Sequence, residues 1–201
     1  SVTSAHGTIA KVPDQLNYDH GTSVQVTATP AAGYTFVNWT GSVTSSDNPL
    51  TLTMDGNKSL VANYALNTYT LTYSAGANGS LTGTLVQTVE HGGSGTAVEA
   101  VPSTGYHFVN WSDSSTANPR TDTNVTANIT VTANFAIDQF TLTYTVGPNG
   151  SLTGTLVQTV DYGGSGTPVE AVPDIGYHFA NWSDGYMNNT RPALSPYRVR
   201  N

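Results

Sequence analysis

The sequence contains no cysteine, which excludes disulfide staples, thiolate nucleophiles and Cys-ligated zinc. Charge is scarce as well: six Lys+Arg stand against thirteen Asp+Glu, for a net charge of -7. The basic footprint of a nucleic-acid binder or an anionic-membrane binder is therefore missing. Lysine occurs only at Lys11 and Lys58, too few to give each part of the chain a Lys–Asn isopeptide crosslink. No apolar run approaches the ~18 residues of a membrane span, and the opening SVTSAHGTIA lacks the charged and apolar regions of a signal peptide. An export signal or anchor is expected outside this segment, with no membrane insertion within it. Sustained helical periodicity is absent too.

What the chain has instead is repetition. NGSLTGTLVQTV occurs at Asn78–Val89 and again at Asn149–Val160. GYTFVNWTG at Gly33–Gly41 returns as GYHFVNWSD at Gly105–Asp113 and as GYHFANWSD at Gly176–Asp184, which spaces Trp39, Trp111 and Trp182 by 72 and 71 residues. A fixed period of this kind marks a repeat array. The predicted units are 1–66, with its first strand largely missing, 67–137, complete, and 138–201, with PALSPYRVRN standing where the closing segment is expected.

Within the complete unit, Tyr69, Leu71 and Tyr73 alternate with threonines, the period of two of a half-buried strand. Asn78-Gly79 supplies the positive φ of a tight turn, feeding a second strand over roughly Leu81–Val89. A third strand points Val98 and Ala100 inward, as Val26 and Ala28 do in the first unit. GYHFVNW reads as strand four and NITVTANF, Asn128–Phe135, as strand five. The fold class is thus β-rich or all-β: three tandem small β modules of about 71 residues, with little or no helix. The core of such small modules is predicted to be aromatic: Tyr34, Phe36 and Trp39, then Tyr106, Phe108 and Trp111, then Tyr177, Phe179 and Trp182. The linkers, Ala65–Asn67 and Ala136–Asp138, are too short for free tumbling, so a semi-rigid rod is expected.

These residues resemble the divergent internalin-B-type B-repeat of large bacterial surface proteins. GTSVQVTATPAAGYTFVNWTG and NPLTLTMDGNKSLVANY carry the likeness in the first unit, and GYHFVNWSD and ITVTANF carry it in the second. The resemblance implies β-grasp-like modules in tandem, an extracellular or bacterial cell-surface location, and a role in spacing or adhesion. It implies no catalytic residues and no cofactor.

The polar residues agree with that implication. The histidines, His6, His20, His91, His107 and His178, show no metal-site spacing, and His107 and His178 read as solvent-side strand residues. Asp113 and Asp184 read as turn aspartates rather than a glycosidase pair. MDGNK and TDTN supply one carboxylate each, against the several that calcium needs. No metal ligand is assigned. Trp39, Trp111 and Trp182 are the candidates for stacking on a sugar, weighed against a place in the core. The expected function is a non-catalytic structural or adhesive segment. Two alternatives stand beside it: a carbohydrate-binding module with a cell-surface glycan ligand, and a filament subunit whose open ends join head to tail by lending a strand.

Overall fold

A computed structural model describes residues 1–194. The tail reading, with Arg198 and Arg200, lies outside the described residues. Among the latter the chain is all-β. The strands are β1 (Val2–Ser4), β2 (Gly7–Val12), β3 (Ser23–Pro30), β4 (Tyr34–Gly41), β5 (Leu50–Thr53) and β6 (Leu60–Leu66). They continue as β7 (Thr68–Ala75), β8 (Gly79–Thr82), β9 (Val86–Glu90), β10 (Glu99–Pro102), β11 (Tyr106–Trp111) and β12 (Ile129–Ile137). Last come β13 (Gln139–Thr143), β14 (Gly150–Thr153), β15 (Val157–Asp161), β16 (Val169–Pro173) and β17 (Thr190–Arg191).

The first repeat forms two three-stranded sheets, β1-β6-β4 and β2-β3-β5. β6 is the central strand of its sheet, parallel to β1 and antiparallel to β4. Val24, Val26, Ala28, Trp39, Leu50, Leu52, Leu60 and Ala62 form its buried core. The middle repeat builds the corresponding sheet in full, β11-β12-β7-β9, with β8 and β10 paired beside it. Val98 and Ala100 are buried there, as Val26 and Ala28 are in the first repeat. The third repeat retains β13-β15 and β14-β16-β17.

The segment expected as one strand over Leu81–Val89 is two. Gly83, at φ 102° and against the carbonyl of Ala97, breaks it, and the halves pair with different partners: β8 with β10, and β9 with β7. An alternating pattern shows that residues are extended but not which neighbour they bond to.

The described chain gathers into two compact units, and neither coincides with one repeat. One unit holds Ser1–Tyr73, Gly83–Val98 and Arg120–Thr130; the other holds Ser74–Thr82, Glu99–Pro119 and the residues from Val131 onward. The middle repeat shares its residues between them.

Candidate functional site

The repeated motif GYxFxxW is the natural place to look for function, and its geometry starts from its spacing. Phe36 and Trp39 are three residues apart, so a regular strand would point them to opposite faces. Their rings nevertheless lie 5.4 Å apart. A β-bulge between Phe36 and Asn38 restores the common face, and β11 carries the same bulge between Phe108 and Asn110. The residue within each bulge, Val37 or Val109, is exposed. Sequence reading placed these aromatics together without seeing that an extra residue makes it possible.

Trp39 and Trp111 are 0% exposed, so neither ring offers a face on which a sugar could stack. Each indole N–H donates to a backbone carbonyl of the loop it closes: Trp39 to Asp47 at 3.0 Å, Trp111 to Ala117 at 2.8 Å and Trp182 to Asn188 at 3.0 Å. Trp182 keeps this local bond but is only half-buried, and the Arg191 guanidinium lies over its ring. Tyr34, Phe36, Tyr106, Phe108 and Phe179 are half-buried. Tyr177 departs from the expected core position: it is 57% exposed, in a segment, Tyr177–Trp182, that no described strand pairs with.

The repeated dozen residues act as scaffold. Asn78 and Asn149 adopt positive φ at the turn. Gln87 and Gln158 are buried, and each amide clamps the glycine-rich loop that follows. The Gln87 amide donates to the carbonyls of Thr84 and Thr96 and accepts the Thr96 N–H. Gln158 does the same with Thr155 and Thr167.

The feature built twice, and invisible within any single repeat, is the junction between repeats. Gly33 and Gly105 hold φ near 80°, and a methyl group at either would run into the ring of His91 or Tyr162, a residue of the next repeat. Asn67 links the first pair, donating to the Gly33 carbonyl at 2.8 Å and accepting the His91 N–H at 2.8 Å. Asp138 links the second, with 2.9 Å to Gly105 and 2.7 Å from Tyr162. The Thr35 hydroxyl donates to the Asn67 side chain at 2.6 Å, and at the matching position His107 pairs with Asp138 at 2.8 Å. His107 is exposed as its strand position predicted, but its carboxylate partner was not foreseen, because the two lie 31 residues apart.

Further ion pairs lie within single repeats, Lys11 with Asp14 and Lys58 with Asp55 among them. In the middle repeat Arg120 grips Asp122 through Nε at 2.9 Å and Nη2 at 2.7 Å, and the Tyr73 hydroxyl adds a third bond at 2.7 Å. The Arg120 hydrogen bonds hold the Asp122 carboxyl below its usual range, and burial together with that carboxylate raises Tyr73. In the third repeat Arg191 turns instead to Asp184, whose carboxyl its hydrogen bonds hold well below the usual range. Asp113 accepts the Ser115 N–H in a turn. A cleft of about 480 Å³ in the first repeat is lined by Val24, Leu52, Met54 and Leu60, with Lys11 and Lys58 among its polar residues. Among the described residues no three metal-binding side chains cluster, and no helix is long and apolar enough to cross a membrane.

The model of one protein family, described as the divergent InlB B-repeat domain, matches this chain three times, over residues 1–68, 69–139 and 140–195. None of the curated proteins matches it.

Proposed function

For a chain that belongs to the divergent InlB B-repeat family, we propose the role of a non-catalytic, semi-rigid spacer within a bacterial surface or secreted protein. The observation that supports it most is the duplicated junction, in which a left-handed glycine, a one-residue linker bonded on both sides, and a ring over the glycine recur with different side chains. A link with both its N–H and C=O engaged is not a flexible tether, since each bond holds a backbone that a free linker would leave to water. The low charge and the abundance of Thr, Ser, Asn and Gly suit an exposed position.

The absence of cysteine makes the test clean. Val37 and Val86 are exposed and lie on either side of the first junction; as Val37→Cys and Val86→Cys they accept spin labels. A narrow distance distribution is expected by pulsed electron resonance. Two glycines inserted after Asn67 should broaden it. A parent distribution as broad as that of the insertion variant would overturn the spacer reading.

A further inference from the structure

Tension along a tandem array enters and leaves each repeat through its covalent links, so the middle repeat is loaded at Asn67, just before β7, and at Asp138, just after β12. These two strands, the first and last of the repeat, are neighbours in one sheet, β11-β12-β7-β9. They are parallel. The Thr70 N–H donates to the Asn128 side chain at 2.9 Å, the Ser74 hydroxyl meets that of Thr132 at 2.7 Å, and the Gly76 N–H donates to the Ala133 carbonyl at 2.9 Å. Residue numbers thus rise together along the pair. The first repeat has the same arrangement, with β1 parallel to β6 from Val2 opposite Leu60 to Ser4 opposite Ala62.

The direction of loading follows from that geometry. Pulling β7 by its start and β12 by its end draws two parallel strands lengthwise past each other, with the hydrogen bonds between them lying across the force. Bonds loaded in this way share the tension and fail together. An antiparallel pair would bring the two loaded ends side by side, and its bonds would then peel open one after another. Two further observations add resistance. Neither strand of the pair is an edge, since β9 lies beside β7 and β11 beside β12, so no open side offers water a route into the ladder. Leu71 and Tyr73 on β7, and Val131 and Ala133 on β12, are buried, and a slip of either strand has to drag such side chains through a close-packed interior.

We infer that the β7–β12 pair is a mechanical clamp, and that bearing tension along the chain is a function of this segment beyond keeping two parts at a distance. Resistance to force is set by the barrier to unfolding rather than by equilibrium stability, and the parallel pair places that barrier directly across the line of load. The clamp lies inside a repeat, so it does not depend on the stiffness of the junctions.

Single-molecule pulling on the whole chain tests this, and the absence of cysteine allows handles to be attached at chosen sites. Thr68, Gln139 and Ala127 are exposed. Handles on Thr68→Cys and Gln139→Cys load the pair lengthwise, as the array does. Handles on Thr68→Cys and Ala127→Cys sit at the same end of the pair, because Asn128 bonds to Thr70, and peel it open. The length released in each event identifies the middle repeat. At one loading rate the lengthwise geometry should need at least about twice the force of the peeling geometry, since it loads the evenly spaced bonds together. Equal forces, or a weaker lengthwise geometry, would overturn the clamp. A broad spin-label distribution across a junction would leave that ratio unchanged, so the spacer reading and the clamp fail separately.

Discussion

Gly105–Asp113 and Gly176–Asp184 differ at one residue, Val109 against Ala180. The first contains a bulged strand with a fully buried tryptophan; the second contains no strand and has a half-buried one. A valine-to-alanine change on an exposed bulge does not account for that. The difference is the neighbour: β11 is hydrogen-bonded along β12, and no described strand runs beside Tyr177–Trp182. Strand structure in these residues belongs to the pair, because an extended backbone leaves its N–H and C=O groups unpaired until a partner arrives. What survives without the partner is local. Both tryptophans close their loops through the indole N–H, and the turn before each motif keeps its backbone bond, Tyr106 to Ser103 and Tyr177 to Asp174, both 3.0 Å.

The sharpest way to break this comparison is to truncate the two tryptophans. Trp111→Ala should cost the middle repeat about 3–5 kcal/mol, the range for a large ring removed from a closed core, and Trp182→Ala about 1–2 kcal/mol. Urea unfolding followed repeat by repeat with nuclear magnetic resonance measures both. Equal losses would mean that the third repeat is as well packed as the second.

The glycines before the motif come next. Gly105→Ala must leave φ 80° or strain there, and must also displace the Tyr162 ring, so about 2–3 kcal/mol is expected. Gly176 has the same backbone but nothing within contact of a new methyl, and Gly176→Ala should cost about 1 kcal/mol. Thermal melting of the two variants separates the junction's contribution from that of the backbone.

Gln87→Leu and Gln158→Leu should cost about 1–2 kcal/mol each by the same unfolding measurement, since each takes the partner from two carbonyls and one N–H in part-buried bonds. Equality is the point here, because the clamp lies in the half of the repeat that does not need the closing strand. A loss confined to Gln87 would show that the disturbance in the third repeat reaches further.

The smallest effect is electrostatic. The folded-state pKa of Asp122 lies below its unfolded value, so its contribution is fully present above the usual carboxylate value, near 3.8, and is lost as pH falls through the folded value. The middle repeat should lose stability below about pH 4, and Asp122→Asn should flatten that slope. In the third repeat Leu194 takes the corresponding place, its carbonyl accepting the Gly166 N–H as that of Asp122 accepts Gly95. Asp184 is solvent-exposed, so its own acid slope should be shallow and weakened by salt. Unfolding scans from pH 6 to pH 2, read for each repeat, check this.

Much of this protein is legible in its letters. The period of the tryptophans gives the modules, alternation gives the extended segments, and Asn-Gly and the left-handed glycines mark the turns, because each depends on residues close along the chain. The same local logic correctly sets Val98 and Ala100 inside. It fails where a choice depends on a distant partner. Periodicity does not reveal that Leu81–Val89 divides between two neighbours, that Phe36 and Trp39 share a face only through a bulge, or that His107 meets Asp138.

By itself, then, the sequence determined the repeat, its β character and its aromatic positions, since backbone preference and side-chain polarity are carried residue by residue. Only the tertiary structure decided which of three near-identical motifs becomes a closed, bulged strand and which stays open. Sheet hydrogen bonds are made between segments, and a motif cannot encode the presence of the strand it needs beside it.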